Sequence, residues 1–135
     1  MKITICGSLK FFDEMVEIQR KLEKAGHEIF MPVKVQGVDY WGDNNKSRVE
    51  IKKGMEFFDK HMKKIEQSDA VLVVNITKRD VENYIGANTF AEMIFAHYKG
   101  KKIFILNPLP NQPYIKDEIE SIESVVLNGN LNLIK

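Results

Sequence analysis

The residues best suited to chemistry lie in the segment that runs from Gly86 to Glu92. Gly86 gives the backbone freedom, Asn88 and Thr89 offer side-chain hydrogen bonds, and Glu92 brings a carboxylate to the start of a predicted helix. The positive end of a helix favours a charged carboxylate, which suits a nucleophile better than a proton donor. However, the spacing Thr89-x-x-Glu92 is also typical of a capping box, in which the Glu only bonds the N-cap backbone. Spacing alone leaves both interpretations open.

A second candidate segment, Gly7 to Lys10, follows the first apolar run of the chain. Gly7 lets the backbone come close to a ligand, and Ser8 with the free N–H groups of the next helix can bind a phosphate. Lys10 adds a positive charge there. A Gly-Ser pair is also a common turn and N-cap, so the segment predicts either an anion site or only a helix start.

Ligand spacing predicts neither a metal site nor a cofactor. His27, His61 and His97 have no metal-ligand spacing with Cys6 or with one another. Cys6 is the single cysteine, which rules out an intramolecular disulfide. A free Cys near a strand end is more often a small buried residue than a ligand contact.

Composition limits the classes of partner. The chain has 20 Lys and Arg against 19 Asp and Glu, so its net charge of +1 creates no field that would recruit nucleic acid or an anionic membrane. A Lys-rich helix is predicted over residues 51–65, but acidic residues interrupt its charges, which indicates a solvated face. No apolar run has the length of a membrane span or a signal peptide. We therefore expect a cytoplasmic protein whose partner is a small molecule, with no nucleic acid polymer and no membrane.

The elements that must position the candidate residues alternate between strands and helices. Short or continuous aliphatic runs predict five strands, at residues 2–6, 28–31, 70–74, 103–106 and 125–127. Helical periodicity fills the intervals and includes a helix over about residues 89–98. The alternation predicts one α/β domain over residues 1–135, with a doubly wound (flavodoxin- or Rossmann-like) five-stranded parallel sheet in the order 2-1-3-4-5 and helices on both faces.

This topology predicts where a ligand binds. In such sheets, ligands lie beyond the carboxyl ends of the strands, where successive crossovers go to opposite sides. For the order 2-1-3-4-5, that point separates strands 1 and 3. The loops that leave these strands contain Gly7-Ser8 and residues 75–88, so we expect the site where Gly7-Ser8 meets the segment from Gly86 to Glu92.

The two segments also resemble those of a known family. The pattern Gly86-x-Asn88-Thr89-x-x-Glu92-Met93-x-x-Ala96, followed by Gly100-Lys101-Lys102 and a strand, resembles the nucleoside 2-deoxyribosyltransferases and their deoxynucleotide N-hydrolase relatives. The opening Ile5-Cys6-Gly7-Ser8 is similar to theirs as well. The resemblance implies that Glu92 attacks the anomeric carbon of a 2-deoxyribosyl group, giving a glycosyl-enzyme ester that water or a second base resolves. The residues expected to bind the sugar and any 5′-phosphate are Gly7, Ser8, Lys10, Gly86, Asn88 and Thr89.

The second catalytic group departs from the family pattern. The N-hydrolases keep an acidic residue on the preceding helix, whereas counting back from Ser68-Asp69 gives His61 here, with Asp59 two residues earlier. A His has an ordinary pKa of about 6.5, so it can protonate a departing base near neutral pH. An exposed His on a charged helix is also often only solvated, which keeps His61 a candidate general acid.

We expect N-glycosidic bond cleavage or transfer on a nucleoside or nucleoside monophosphate, and two alternatives stay open. A Gly-rich loop followed by Thr-x-x-Glu also resembles the nucleotide phosphoribohydrolases that act on ribonucleoside monophosphates, although these usually have paired Gly where Gly86 stands alone. The same pocket can instead hold a nucleotide without turnover, as a non-catalytic binding module in which Glu92 only caps its helix. Relatives often build sites across a subunit contact, so by analogy a homo-oligomer is a further partner to test.

Overall fold

The computed structural model of the protein describes residues 1–38, 40–41, 48–50 and 57–135. Its strands are β1 (Lys2–Gly7), β2 (Glu28–Phe30), β3 (Ala70–Val74), β4 (Lys102–Ile105) and β5 (Val125–Val126). Its α-helices are α1 (Phe12–Lys24), α2 (Phe57–Glu66), α3 (Ala87–Tyr98) and α4 (Lys116–Ser121), and short 3-10 helices cover Leu9–Phe11 and Leu131–Leu133. The predicted strands are therefore present, with ends that differ by one residue at most.

The sheet has the predicted topology. All five strands are parallel and lie in the order β2-β1-β3-β4-β5, which confirms both the α/β class and the strand order. β1 and β3 are neighbours in a register that pairs Ile3 with Ala70 and Gly7 with Val74. Because both strands end at this last pair, the loops that follow them begin side by side.

Apolar layers cover the two faces of the sheet. On one face, Ile5 and Leu72 pack with Met15 of α1. On the other face, Val73 packs with Met93 of α3, in a cluster that also contains part of α2. Alternate side chains of a strand point to opposite faces, so Cys6 belongs to this second layer, together with the two helices that carry the candidate catalytic residues.

Gly7 is required by packing at the end of β1. A Cβ atom at this position would lie 2.6 Å from Cε of Met15 and 3.0 Å from the carbonyl oxygen of Val74. The second of these contacts is with backbone, which cannot move away cheaply. The absence of a side chain thus lets α1 and β3 approach the end of β1 closely, where Gly7 also borders the cavity described below.

A buried polar chain joins the end of α2 to β1. Ser68 donates its hydroxyl proton to the carbonyl oxygen of Lys64 at 2.8 Å, and the hydroxyls of Thr4 and Ser68 lie 2.6 Å apart. A hydroxyl has one proton, so Thr4 is the donor to Ser68. These bonds hold α2 against β1 and thereby place His61, one turn before Lys64.

Some predicted boundaries differ from the observed ones. The helix predicted over about residues 89–98 begins earlier, at Ala87, and a 3-10 turn at Leu9–Phe11 precedes α1. Of the helix predicted over residues 51–65, the part at residues 51–56 lies outside the described residues, and Phe57–Glu66 is helical. None of the described helices combines the length and the apolar character needed to cross a bilayer.

Candidate active site

The Glu92 carboxylate lies beside the end of β1, at the carboxyl edge of the sheet. Glu92 occupies the second turn of α3 and is only 2% exposed. Its Oε1 accepts a hydrogen bond from Nδ2 of Asn88 at 3.2 Å, one helical turn earlier. A buried carboxylate needs partners of this kind, because removing a charge from water is costly.

The other carboxylate oxygen faces an imidazole and a thiol. Glu92 Oε2 lies 2.6 Å from Nε2 of His61, whose side chain is 12% exposed, and Sγ of Cys6 lies 3.8 Å from the same nitrogen. The close polar contact of Glu92 Oε2 is thus its ion pair with His61, whereas His61 Nδ1 has no hydrogen-bond partner within the described residues. We call these three residues, which come from β1, α2 and α3, the buried cluster.

The thiol of the buried cluster is held in its neutral form. Burial raises the pKa of Cys6 well above its ordinary value, and both the charge of Glu92 and a hydrogen bond to it raise it further. A neutral thiol can donate its proton to the carboxylate. Cys6 therefore acts as a partner of Glu92 and not as a thiolate nucleophile.

A cavity opens in front of the buried cluster. Its volume is about 60 Å³, several times the roughly 10–15 Å³ that a single water molecule requires. The lining residues are Gly7, Leu9, Pro32, Val33, Phe57, Phe58, Lys60, His61, Met62, Lys64, Asn88 and Glu92. Glu92 is thus presented to an open space with a largely apolar wall.

Four of the predicted site residues meet at this cavity, namely Gly7, His61, Asn88 and Glu92. The other four are not part of its lining. Ser8 accepts a hydrogen bond from the backbone N–H of Lys10 at 3.4 Å and caps the 3-10 turn, and Lys10 lies in a group of cations described below. Gly86 is the N-cap of α3, and Thr89 is buried inside that helix.

The start of α3 differs from both interpretations of the Thr89-x-x-Glu92 spacing. Because α3 begins at Ala87, Thr89 is not the N-cap, and no side chain bonds the backbone of Gly86 as a cap. Glu92 also lies beyond the first turn, where the helix dipole has its main effect. The carboxylate is therefore oriented by Asn88 and His61, and the helix terminus contributes little to holding its charge.

A second group of charged residues surrounds Lys10. Its pKa is lowered from 10.5 to about 8, first by burial and then by the nearby charges of Lys78, Arg48 and Arg79. Lys78 and Arg79 belong to the loop that leaves β3, and Arg79 has a left-handed backbone with φ of 53°. No ion pair joins Lys10, Lys78 or Arg79 to a carboxylate within the described part of the chain. We call these three residues the basic cluster.

Aromatic residues connect the two loops of the basic cluster. Arg79 donates a hydrogen bond to the carbonyl oxygen of Trp41 at 3.4 Å, and the Trp41 ring packs edge-on against Phe11, with 5.5 Å between the ring centroids. Nζ of Lys78 lies 4.7 Å above the centre of the Tyr84 ring. These contacts hold Arg79 near the turn that carries Lys10.

Side-chain amides fix the loops on either side of α3. Gln112 bonds both backbone groups of Ile85, donating to its carbonyl and accepting from its N–H, each at 2.8 Å. Asn75 and Asn107, which follow β3 and β4, bond each other's backbone reciprocally at 2.9–3.0 Å. Through these bonds, Asn107 and Gln112, which follow β4, hold both ends of the segment that runs from Asn75 to Ile85 and leads into α3.

Several site residues were not predicted from the sequence. Most of the apolar wall comes from residues 32–33 and from α2, where Lys64 also donates to the carbonyl oxygen of Met31 at 2.7 Å. The sequence signal for this wall was the apolar stripe on the Lys-rich helix, which includes Phe58 and Met62, but nothing in it indicated a cavity. Lys78 and Arg79 were visible as two adjacent cations in the loop after β3, but nothing in their spacing linked them to Lys10.

The fold is similar to that of two solved enzymes. One is a 2-deoxyribosyltransferase from Bacillus psychrosaccharolyticus, with a TM-score of 0.57 and 14% identity, in a match that covers 91% of this chain and 93% of that one. The other is the CMP N-glycosidase BcmB from Clostridium botulinum, with a TM-score of 0.54, 13% identity and coverage of 95% and 90%. No model of a protein family and no curated protein matches the chain. At these identities the similarity shows the fold alone, and at that level it confirms the resemblance seen in the motifs.

Proposed function

We propose that the protein cleaves or transfers the N-glycosidic bond of a nucleoside or nucleoside monophosphate, with Glu92 as nucleophile and His61 as general acid. One observation carries the proposal. The Glu92 carboxylate is almost fully buried, lines a cavity and lies 2.6 Å from the His61 imidazole, which lines the same cavity. A carboxylate that served only as a helix cap would bond the backbone at the start of its helix. Glu92 instead faces an open space beside a group that can donate a proton, which suits attack on a sugar carbon.

The proposed reaction has two steps. First, a Glu92 oxygen attacks C1′ of the sugar, the C1′–N bond breaks with its electron pair going to the base, and His61 gives the base a proton. Then water attacks C1′ of the glycosyl ester, its proton passes to the neutral His61, and Glu92 is released. In the transfer reaction, a second base replaces water and gives up its proton to His61 in the same way.

The position of His61 supports its role. Its Nε2 lies at the wall of the same cavity as the nucleophile, 2.6 Å from Glu92 Oε2. A protonated ring there pairs with the carboxylate in the free enzyme. When the substrate enters, a leaving nitrogen within about 2.6–3.2 Å of Nε2 can take this proton.

The basic cluster supports a substrate that carries a phosphate. Lys10, Lys78 and Arg79 come from the loops after β1 and β3, the two loops that meet at the predicted ligand edge of the sheet. Like charges placed together destabilise one another, and a phosphate between them would replace this repulsion with charge-assisted hydrogen bonds. The residues proposed for the sugar and the 5′-phosphate are therefore Gly7, Ser8, Lys10, Gly86, Asn88 and Thr89, together with Lys78 and Arg79.

The two solved enzymes of the same fold support the reaction class. One is a 2-deoxyribosyltransferase and the other a CMP N-glycosidase. They differ in substrate and in reaction type, so an assay must include both. Deoxyribose and ribose compounds, with and without a 5′-phosphate, are all candidates.

A substrate panel tests the proposal. The protein is incubated with ribo- and deoxyribonucleosides and their 5′-monophosphates, alone and with a second free base, and the products are separated by liquid chromatography. We expect release of free base from at least one compound, and we expect Glu92→Gln to reduce that rate by about 10⁴-fold or more. The matched control is Glu120→Gln, an exposed carboxylate on α4, which should leave the rate unchanged. The absence of base release from every compound, or equal release by Glu92→Gln, contradicts the assignment.

Calorimetry separates the enzyme from a binding module. A non-catalytic module would bind a nucleotide tightly, form no product and show the same affinity after Glu92→Gln. Release of base from ribonucleoside monophosphates alone would instead identify a phosphoribohydrolase.

A further inference from the structure

The buried cluster brings three different metal-binding atoms to one point. Sγ of Cys6, Nε2 of His61 and a carboxylate oxygen of Glu92 all lie within 4.8 Å of one another. Each atom comes from a different element, and these elements are held by the sheet and by the packing of α2 and α3. A site whose ligands lie on rigid elements is positioned before the ion arrives.

We propose that these three atoms form a binding site for Zn²⁺ or a divalent ion of similar softness, with the fourth coordination position open to the cavity. A thiolate, an imidazole and a carboxylate are the usual protein ligands of Zn²⁺. The sulfur atom also makes the set unsuitable for Mg²⁺ and Ca²⁺, which prefer oxygen ligands. Three protein ligands with one open position are typical of an exchangeable site and not of a closed structural one.

The distances fit such an ion after a small adjustment. With ordinary Zn²⁺ bond lengths, tetrahedral ligand atoms lie about 3.3–3.6 Å apart. The Cys6 to His61 distance of 3.8 Å is close to this value. The His61 to Glu92 distance of 2.6 Å must increase by less than about 1 Å. Rotation of the terminal carboxylate torsion, which is soft, provides such a movement.

The burial of the carboxylate points to the same conclusion. The Glu92 side chain is 3% exposed, and its Oε2 lies 2.6 Å from Nε2 of His61. A buried carboxylate needs a partner of opposite charge, because removing its own charge from water is costly. A cation placed between Oε2, the imidazole and the sulfur would supply that charge.

Binding requires a proton to leave. In the metal-free protein the Cys6 thiol is neutral. A coordinated thiol loses its proton outright, so the Zn–S bond forms as this proton passes to solvent through the cavity. Uptake of one Zn²⁺ therefore releases one proton from Cys6 when His61 is neutral, and a second proton, from His61, when the ring is protonated.

The metal and the proposed reaction exclude one another. This consequence rests on the proposed function, whereas the binding itself does not. A Glu92 oxygen bonded to Zn²⁺ cannot attack a sugar carbon, and a His61 nitrogen bonded to Zn²⁺ cannot carry a proton. Bound Zn²⁺ would therefore inhibit the enzyme reversibly.

Co²⁺ is a suitable spectroscopic probe of this site, since it takes the place of Zn²⁺ and is coloured. Titration of the protein with Co²⁺ should produce the visible bands of a tetrahedral ion and a sulfur-to-cobalt charge-transfer band in the near ultraviolet. The spectrum should saturate at one ion per chain, and added Zn²⁺ should abolish it. The variant Cys6→Ser should lack the charge-transfer band.

Two histidine variants complete the test. His61→Gln should weaken Co²⁺ binding by more than the roughly 10–100-fold that the loss of an outer-shell partner costs. His97→Gln, which changes an exposed histidine on α3, is the matched control and should bind Co²⁺ as the wild type does. His61 is on the cavity wall, so its variant remains informative if Cys6→Ser fails to fold.

The outcomes separate this proposal from the proposed function. No charge-transfer band in the wild type, a band that persists in Cys6→Ser, or unchanged binding by His61→Gln overturns the metal site. A saturating band in a protein that releases no base from any compound supports the metal site and contradicts the glycosidase. Base release by a wild-type protein that shows no charge-transfer band supports the glycosidase and contradicts the metal site.

Discussion

The buried cluster and the basic cluster lie at the same edge of the sheet, but the charges of the two clusters differ in whether they have partners within the described residues. The buried cluster pairs a carboxylate with an imidazole and a neutral thiol, each at close range and away from water. The basic cluster places Lys10, Lys78 and Arg79 together without a described carboxylate partner. The described residues thus supply partners for the first group and no carboxylate partner for the second.

This difference assigns different tasks to the two groups. A catalytic group must be held in position before the substrate arrives, because preorganisation is what lowers the barrier. A group that recognises a ligand can contain like charges that repel one another in the free protein. A ligand of the opposite charge relieves this repulsion when it binds, which increases selectivity for that ligand. Changes in the buried cluster should therefore alter the rate, and changes in the basic cluster should alter affinity.

After the loss of the Glu92 carboxylate, the largest expected effect is the loss of the imidazole of the buried cluster. Removal of a general acid typically costs 10²–10⁴-fold, so His61→Gln should lower kcat by about this factor with little change in KM. The measurement is base release from the preferred compound over a range of substrate concentrations, which separates kcat from KM.

Asp59→Asn is the matched control for this prediction. Asp59 lies on the same helix but is exposed and does not line the cavity, so its loss should leave kcat unchanged. If Asp59→Asn lowers kcat as far as His61→Gln does, Asp59 takes part in the reaction, and the assignment of the general acid to the buried cluster is wrong.

Much of the fold was predictable because its signals are local. The aliphatic run at residues 70–74 lies between Asp69 and Asn75, and β3 has these limits in the structure. Alternating strands and helices predicted a parallel sheet, since parallel strands require crossovers, and the order 2-1-3-4-5 was chosen among the common doubly wound orders. The 3-10 turn before α1 carries no such local signal and was not predicted.

The candidate site was predictable only in part, because its geometry depends on tertiary packing. The motif identified Glu92 and Asn88, but the start of α3 at Ala87 removed the role assigned to the helix dipole. The contact of Cys6 with His61 depends on how α2 packs against β1, which no spacing along the chain encodes. Arg79 reaches the basic cluster through a left-handed turn in a loop without periodicity.

Charge removal in the basic cluster should change affinity alone. Lys78→Gln should raise KM for a nucleoside 5′-monophosphate by roughly 10–100-fold, the equivalent of one hydrogen bond to a charged group. The corresponding nucleoside without phosphate should keep its kcat/KM. Lys116→Gln, an exposed lysine at the start of α4, is the control. An equal loss for both substrates would mean that Lys78 supports the fold of the loop and does not contact a phosphate.

The segment between the two clusters is held by Gln112, and its bonds can be removed without changing either cluster. Gln112→Ala removes two hydrogen bonds from the backbone of Ile85, which precedes α3, and should lower the free energy of unfolding by about 1–2 kcal/mol. Urea denaturation measures this change, and Gln67→Ala, an exposed glutamine without such bonds in the described residues, is the comparison.

We expect Gln112→Ala to lower the rate of base release and to leave the affinity for phosphate unchanged, because Glu92 lies after Ile85 in the chain and Lys78 before it. An unchanged stability would show that the loop is held by the Asn75 and Asn107 bonds instead.

The smallest effect concerns Lys10 in the absence of any ligand. Folding lowers its pKa from 10.5 to about 8. Between these values the unfolded chain binds more protons than the folded one, so the free energy of unfolding rises with pH across that window. Below about pH 8 the charged Lys10 is therefore a net cost to the fold, and Lys10→Met should stabilise the protein there by about 0.5 kcal/mol, a small value since solvent still screens this partly exposed group.

The pH dependence of this difference identifies its origin. The advantage of Lys10→Met should shrink as the pH rises from 8 and disappear above 10.5, where wild-type Lys10 is neutral in both the folded and the unfolded state. Inorganic phosphate should reverse the order near neutral pH, since it stabilises the wild type by binding to the folded state. Urea denaturation with and without phosphate measures both effects. A variant that is less stable than the wild type without phosphate would show that a carboxylate of the chain already neutralises Lys10, and the contrast between an internally paired and an externally paired cluster would then be wrong.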